Sequence, residues 1–540
     1  MTDRSPCAFR RGLRGAIALL LVLCTLFTFG CRRKQQEQED NGGGEDIITT
    51  PQPTSVPKEG GVLRLPMPAN ASHEDPLSVN TEEMLYLFSL VYDMLIGVDE
   101  SGELTPCLCE SWTSEGSGVW LLHLRESAKW QDGSGRLTAQ NVVETYNALC
   151  GMQDSYYYWC TEHIVSMSPV DIKTVRVKMD IPGMIALYSL NFPIRKSASL
   201  MGTGAYRVQS IGEESITLSA NADWWDRKPY VGTIVFEVRD SNETALASYE
   251  AGQLNMVPTN VLTAGKYAQK GATNVLDVMT QGMEVLLFNN ASLFGSAEMR
   301  LAVAHAVNRS RIITNVYMNR ARVSDVPIPA DSWLYDSRCA VLNYDTAAAI
   351  NLLEGQDFSK LDENGVRYST KTGAKLSIKL LTSATTENTT RQDAANQIAA
   401  QLGELGFEVQ VVTAEHTLGG ETSPFVNALN SGDWDLALVG FNLCLDCDPS
   451  PYLTSGGACN YSRCGDKRIS ALAEAMRKAD TEEALREAAY NFQAYFVESV
   501  PFVTLYFRLN SVVYSADLVG VDGAREPALF ARVKDWYFMD

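Results

Sequence analysis

The stretch LSIKLLTSATTENTTRQDAANQIAAQLGELGFEVQVV, Leu376–Val412, decides the fold class. Apolar and polar side chains alternate from Leu376 to Leu380, which is the period of a β-strand. Residues 391–405 then place apolar side chains three and four residues apart, as on one face of an α-helix, and Gly406 is a suitable helix stop. The alternation resumes at Phe407. Strand, helix and strand with short joins predict a right-handed parallel crossover, the unit of an α/β protein.

Neighbouring segments extend the same mixed α/β pattern. The run Asp435–Phe441 (DLALVGF) predicts a buried strand, and residues 466–498 predict two helices from apolar side chains at helical spacing. Further upstream, Gly60–Leu65 predicts a strand and Thr138 is placed to cap a helix. We find no internal repeat.

Length and charge limit the function classes. The chain has 540 residues, several times the usual size of one domain, so at least two packed cores are expected. It carries 45 Lys plus Arg against 65 Asp plus Glu, a net charge of −20. A surface this acidic repels phosphate backbones, which excludes nucleic acid as a partner.

The first thirty residues have the pattern of an export signal. Four arginines precede a run that is almost wholly apolar from Ala16 to Phe29, too short to span a bilayer as a helix. Gly30 before Cys31 resembles a bacterial lipoprotein signal, which predicts cleavage there and lipidation of Cys31, although Thr28 stands where that signal usually has Leu. A plain signal peptide or an uncleaved anchor is the alternative. Residues 31–58 are polar and Gly/Pro-rich, which predicts a flexible linker at the membrane, outside the cytoplasm.

Nine cysteines remain after the predicted signal and Cys31, and disulfides persist outside the cytoplasm. Four of them follow the spacing C-x2-C-x11-C-x4-C: Cys444, Cys447, Cys459 and Cys464. Two disulfides, a four-thiolate zinc site and partly free thiols all fit this spacing. Disulfides are the favoured reading, so no metal is expected. Cys150 and Cys160 are candidates to close a second loop, and the odd total leaves at least one thiol unpaired.

Known catalytic motifs are absent from the sequence. It contains no G-x-S-x-G, no H-E-x-x-H and no Walker-type phosphate loop, and its five histidines are scattered. We therefore expect neither an enzyme nor a cofactor. A secreted hydrolase stays as a remote alternative.

Five ordered stretches together resemble the family 5 extracellular solute-binding proteins, the peptide- and nickel-binding receptors of ABC importers. They stand in the family's order and span most of residues 60–520. In chain order they begin with VYDMLIGVDESGELTPCLCESW (Val91–Trp112), GTGAYRV (Gly202–Val208), LLFNNASLFGSAEMRLAVAHAVNRSRII (Leu286–Ile313), WDLALVGF with DPSPYL (Trp434–Leu453), and PFVTLYFRLNSVVYS (Pro501–Ser515).

The resemblance implies a two-lobed, periplasmic-binding-protein-like α/β fold of type II with an extra inserted domain, a hinged clamshell that encloses its ligand. We place the hinge lobe at residues 59–78, 190–280 and 505–540. The inserted domain is placed at 79–189 and the second lobe at 281–504.

The resemblance also implies a function and a set of site residues. The chain is expected to be a monomer that captures peptides and passes them to an ABC permease. A nickel complex, an oligosaccharide, an opine or a signalling role is the alternative. In peptide-binding relatives an Asp after the strand matching Asp435–Phe441 holds the peptide ammonium. Here that position is Leu445, so Asp446, one residue later, becomes the candidate. Further candidate ligand contacts are Phe441, Gly440, Tyr506 and Asn80.

Three tryptophans also match family aromatics: Trp112, Trp130 and Trp225. We expect them to pack in the core, because large aromatic side chains are mostly buried for packing.

Overall fold

The computed structural model describes residues 57–69, 75–79, 81–196, 201–385, 388–416 and 423–539. All of them fall in one compact unit, residues 56–540. The predicted signal peptide, Cys31 and Asn80 lie outside the described residues. Within the described ranges, no helix is both long and apolar enough to cross a membrane.

Most of the strands are short, and two long ones carry the largest sheet. In chain order the strands are β1 Gly60–Met67, β2 Ile96–Val98, β3 Leu104–Pro106, β4 Cys109–Gly116, β5 Val119–Leu124, β6 Ile164–Pro169, β7 Thr174–Met179, β8 Tyr206–Ile211, β9 Ser215–Ala220, β10 Val231–Val238, β11 Met256–Thr259, β12 Thr273–Phe288, β13 Ala321–Val323, β14 Lys360–Leu361, β15 Arg367–Tyr368, β16 Ser377–Ala384, β17 Glu408–Glu415, β18 Leu436–Asn442, β19 Phe502–Ser515, β20 Leu518–Val519 and β21 Tyr537–Phe538.

The α-helices are concentrated in the second half of the chain. They are α1 Glu82–Val91, α2 Ala139–Leu149, α3 Asn242–Glu250, α4 Ala297–Ala306, α5 Arg309–Tyr317, α6 Thr346–Gly355, α7 Thr390–Gly403, α8 Pro424–Ser431, α9 Ser450–Leu453, α10 Lys467–Lys478 and α11 Glu482–Ser499. The predicted cap on α2 is present, because the Thr138 side chain accepts a hydrogen bond from the Asn141 backbone.

Three sheets of four or more strands contain most of these strands, and the described residues also form three two-stranded sheets. One four-stranded sheet has the order β1-β10-β9-β8, and a second has the order β4-β5-β7-β6. The seven-stranded sheet has the order β11-β19-β12-β18-β16-β17, with β13 beside β19. The β4–β7 sheet lies inside the range predicted for the inserted domain. The strands β12 and β19, by contrast, run across the predicted lobe boundaries near residues 280 and 504, and those boundaries stay a prediction.

The predicted crossover unit is present. Strand β16 leads through α7 into β17, and the two strands pair in parallel from Ser377 with Glu408 to Ala384 with Glu415. The other edge of β16 pairs in parallel with β18, the strand predicted at Asp435–Phe441. Apolar side chains on one face of α7, such as Ile398 and Leu402, are fully buried.

The pairing between β12 and β19 is interrupted in the middle. Residues up to Met279 pair with the end of β19, and pairing resumes at Met283. At the interruption, the Thr280 hydroxyl donates to the Arg508 carbonyl and accepts from the Gly282 backbone N–H, both at 3.0 Å. The Thr280 side chain therefore supplies hydrogen bonds at the irregularity where the register of the two long strands shifts.

Candidate functional site

A cavity of about 1480 Å³ lies beside this interruption. One part of its wall comes from the seven-stranded sheet: residues between 280 and 284, the loop 442–445 after β18, and residues 508–510 of β19. Another part comes from α1, from residues 153–159 and from the C-terminal segment. Segments distant in the sequence thus converge on one enclosed space, which is the arrangement of a ligand site.

The sheet side of the cavity is built around a buried ion pair. Glu284 on β12 is 1% exposed, and the Arg391 guanidinium holds it with Nε to Oε2 at 2.8 Å and Nη2 to Oε1 at 2.9 Å. The third donor of Arg391, Nη1, bonds Ser383 Oγ at 2.7 Å. Although burial opposes ionisation, Arg391 and then Arg508 keep the pKa of Glu284 below its usual value. The sequence analysis missed Glu284. The signal was available as a single carboxylate inside the apolar run MEVLLF.

Two predicted site residues flank Glu284 in the sheet. Gly440 is its partner on β18 and Tyr506 its partner on β19. Neither is among the residues that line the cavity. Gly440 instead leaves room for the ion pair, since a Cβ there would lie 2.2 Å from Arg391 Nη2. The Tyr506 ring is fully buried and packs on Tyr317, with ring centroids 4.8 Å apart, and Tyr317 does line the cavity.

The other predicted contacts lie beside the cavity. Phe441 is buried and its ring packs on Tyr452 at 4.6 Å between centroids. The lining runs through Leu445 and stops before Asp446. Burial, followed by repulsion from Asp448, raises the pKa of Asp446 to about 7. Asp448 accepts a hydrogen bond from the Ser450 backbone, as expected of a turn cap. The role of Asp446 as an ammonium anchor stays a prediction.

A carboxyl pair lines the cavity near α1. The Tyr86 hydroxyl lies 2.9 Å from Glu82 Oε1 and 2.5 Å from Glu526 Oε1. Glu82 is exposed to the cavity, whereas Glu526 is 5% exposed. Burial, followed by the charge of Glu82, raises the pKa of Glu526 to about 8. Sequence analysis gave no signal for this pair, because its members are 444 positions apart, Glu82 to Glu526.

A second buried carboxylate, Asp93, is already saturated. It accepts hydrogen bonds from Thr203 Oγ1 at 2.7 Å, Trp225 Nε1 at 2.7 Å and Trp224 Nε1 at 3.2 Å. The Arg125 guanidinium stacks over the Trp225 ring at 4.2 Å. Trp225 was expected in the core, but it is only partly buried and lines the cavity, because its indole N–H faces Asp93.

The other two tryptophans differ in burial. Trp130 is 4% exposed, in agreement with the expectation, whereas Trp112 is partly buried on β4. Both positions lie away from the residues that line the cavity.

The structure forms none of the predicted disulfides. All nine cysteines of the described chain are free thiols, including the six candidates Cys150, Cys160, Cys444, Cys447, Cys459 and Cys464. Cys150 is exposed after α2, whereas Cys160 is fully buried with its thiol 3.7 Å from the Asn191 carbonyl, so the two occupy different environments. Cys444 is exposed and lines the cavity. Among the residues described, no cluster of three or more His, Cys, Asp or Glu side chains is arranged to hold a metal ion.

Comparison with known proteins adds a family and a fold. Residues 103–462 match the family described as bacterial extracellular solute-binding proteins, family 5 Middle. The chain is 25% identical over 500 residues to the oligopeptide-binding protein AppA of Bacillus subtilis (strain 168). The alignment covers 86% of this chain and 88% of that protein.

Two solved structures share the architecture. The murein tripeptide binding protein MppA in its unliganded open form aligns with a TM-score of 0.77 at 18% identity, covering 89% of this chain and 98% of that one. The nickel ABC transporter structure from Bacillus halodurans aligns with a TM-score of 0.75 at 19% identity, covering 87% and 98%. The two-lobed periplasmic-binding-protein fold predicted from the sequence is confirmed.

Replacing Arg391 by Met is expected to destabilise the protein by about 3–5 kcal/mol, because Glu284 would remain buried with only Arg508 nearby at 3.6 Å. Urea denaturation measures the effect. The matched control is Arg338→Met, which breaks an exposed ion pair with Asp336 and should cost less than about 1 kcal/mol. Equal costs for the two substitutions would contradict the assigned role of the Glu284–Arg391 pair.

Gly440→Ala should displace the Arg391 guanidinium and cost about 1–3 kcal/mol, since the new Cβ has no space. Gly403→Ala is the matched control. Gly403 ends α7 with open space where a Cβ would lie, so alanine there should be neutral or stabilising. A comparison of thermal midpoints tests both, and a neutral Gly440→Ala would show that the ion pair does not need this gap.

Stability should depend on pH through Glu526. Its folded-state pKa of about 8 exceeds the ordinary value of 4.5, so the folded protein holds a proton that the unfolded chain releases between these limits. The stabilisation is therefore complete below about pH 4.5 and is lost as the pH rises toward 8. Glu526→Gln should raise the melting temperature more at pH 8 than at pH 5. The exposed Glu487→Gln serves as the control, and a pH-independent difference for Glu526→Gln would refute the assignment.

Proposed function

The chain belongs to the bacterial extracellular solute-binding proteins of family 5, and from that premise we propose that it captures peptides in the cavity and delivers them to an ABC permease. One observation carries the proposal: a cavity of about 1480 Å³ with charged side chains of both signs in its wall, in a chain similar to an oligopeptide-binding protein over 500 residues. The volume exceeds the roughly 300–1000 Å³ that holds a drug-sized ligand, so it has room for a peptide with bound water.

A peptide poses a specific problem for an enclosed site. Its backbone donors and acceptors must all be paired once water is excluded, and its charged ends need partners of opposite sign. The lining offers polar strand residues at the interrupted part of the sheet, the exposed Asn442 and the half-buried Asn510, together with carboxylates and arginines. Main-chain recognition with roomy side-chain space would give broad sequence specificity.

Closure around the ligand follows from the strands that connect the lobes. The interruption at residues 280–282 of β12 lies in the cavity wall and coincides with the predicted boundary between the hinge lobe and the second lobe. We place the hinge there. A ligand that touches both lobes only in the closed state stabilises that state by the free energy of those added contacts.

The N-terminal sequence supports a location at the outer surface of the membrane. In this proposal residues 1–30 direct export, Cys31 carries lipid, and residues 31–58 tether a monomeric receptor near its permease. Membership in a family of extracellular solute-binding proteins agrees with such a location.

A mixture of di- to pentapeptides should raise the melting temperature of the purified protein. The added stability follows RT ln(1 + [L]/Kd), about 2.7 kcal/mol when the free ligand is one hundred times Kd. The matching mixture of free amino acids is the control. If peptides leave the melting temperature unchanged while an oligosaccharide or a nickel complex raises it, the receptor carries a non-peptide ligand.

A further inference from the structure

The Glu82–Glu526 pair holds a proton for geometric reasons. The Tyr86 hydroxyl has one hydrogen, yet it lies within hydrogen-bond distance of both carboxyl groups, 2.9 Å from Glu82 and 2.5 Å from Glu526. The hydroxyl can donate to only one of them. The second contact is a hydrogen bond only if that carboxyl group is protonated and donates to the tyrosine oxygen. In this arrangement the two acids share a proton.

The pair retains capacity for a cation. Glu526 is 5% exposed, and its second oxygen, Oε2, accepts no hydrogen bond of 3.5 Å or less from a described residue. The Asn510 amide donates to Glu82 Oε1 at 3.0 Å. Among the described residues, no Lys, Arg or His nitrogen forms an ion pair with either carboxyl group, and the nearby Arg508 contacts Glu284 instead. The Asn510 amide lies close enough to act on both carboxyl groups, so the pair has neutral donors but no ion-pair partner among the described residues of the cavity wall.

The other acids of the described lining are already neutralised or solvated. Glu284 is held by two arginines, and Asp93 accepts three side-chain hydrogen bonds. Asp226 pairs with Lys534 at 2.5 Å, and Asp154 is exposed. Of the acids in the described lining, the pair of glutamates would therefore give a desolvated positive charge the most favourable electrostatic interaction.

Aromatic side chains near the pair also favour a cation. Tyr156 lines the cavity and is 43% exposed, and the pKa of its hydroxyl is raised by desolvation first and then by the charge of Glu526, which places the hydroxyl near that carboxyl group. Phe530 lines the cavity as well and packs edge-on against the Tyr86 ring, with centroids 6.0 Å apart. Aromatic faces beside a carboxylate are a favourable surrounding for an ammonium group.

We propose that Glu82 and Glu526 together anchor the positively charged group of the ligand, the α-ammonium of a peptide, and that they release their shared proton to solvent when it binds. The proposal rests on the proposed function and specifies its charge recognition. It differs from the sequence-based expectation that Asp446 is the anchor, because Asp446 is not among the residues that line the cavity. An anchor elsewhere also accounts for the apolar Leu445 at the position where relatives carry an acid.

Isothermal titration of trialanine and N-acetyl-trialanine tests the proposal on the wild-type protein and on Glu82→Gln, Glu526→Gln and the double variant. The wild type should prefer the free amine by about tenfold or more, as expected for a buried charge pair. The double variant should bind both peptides within about threefold of each other. Retained binding of the acetylated peptide shows that each variant is folded, and Glu487→Gln, exposed and outside the lining, is the matched control.

A second measurement follows the shared proton directly. Titrations in buffers of different ionisation enthalpy should show the wild type releasing up to about one proton when trialanine binds near pH 6.5 and none when the acetylated peptide binds. The groups that face the pair from neighbouring elements are Glu83 and Tyr86 on α1, Arg508 on β19, and Tyr156. The double variant should abolish the release.

The outcomes distinguish a failure of the proposed function from a failure of the carboxyl anchor. If the wild type binds neither these peptides nor the di- to pentapeptide mixture, the proposed function fails and this inference fails with it. If the wild type binds both trialanine forms equally, peptide capture stands and the carboxyl anchor is wrong. Loss of amine preference in Asp446→Asn, with retention in the double glutamate variant, would assign the ammonium to Asp446 and overturn the proposal.

Discussion

The ion pair between Glu284 and Arg391 is the constraint on which the central sheet depends. A carboxylate that is 1% exposed in the middle of β12 would be untenable without a charged partner in contact. That partner comes from α7, the helix of the crossover unit, and its guanidinium reaches the carboxylate only because Gly440 on β18 has no Cβ. One electrostatic requirement thus fixes the positions of a strand, a helix and a glycine from three separate parts of the chain.

The same ion pair sets the chemistry of the cavity beside it. All three guanidinium nitrogens of Arg391 donate hydrogen bonds to Glu284 or Ser383, so its positive charge is held in a fixed position in the cavity wall. Arg508, 45% exposed, stands between this wall and the carboxyl pair near α1. It also lies where the pairing of β12 with β19 is interrupted. A change in the angle between these strands would therefore move the positive charge of Arg508 within the cavity. The electrostatic potential at the ligand would change with it.

Sequence reasoning succeeded where structure is local and failed where it depends on distant pairing. The crossover unit was readable because the alternation from Leu376 to Leu380, the helical spacing in α7 and the stop at Gly406 are all short-range signals. The long strand β12 was missed. It is paired on both edges and its second half is buried throughout, so alternation disappears there.

In the candidate site, too, local features were predictable from the sequence and features that depend on distant pairing were not. Gly440 and Tyr506 were placed on the right strands, but register decides that they flank Glu284 rather than line the cavity. Pairing register is set by the whole sheet and has no signature in a single segment.

The positions of the carboxyl groups around the cavity also depend on contacts between distant parts of the chain. At the end of β18 the lining is formed by Asn442, Leu443, Cys444 and Leu445, and the next acid, the half-buried Asp446, is outside that lining and close to Asp448. A second like charge in that turn makes ionisation of Asp446 costly. The Glu82–Glu526 pair faces the cavity without an ion-pair partner among the described residues, and the Tyr86 hydroxyl lies between its two members. A cationic group entering the cavity would exchange with a proton at this pair, whereas Asp446 is not among the residues that line the cavity.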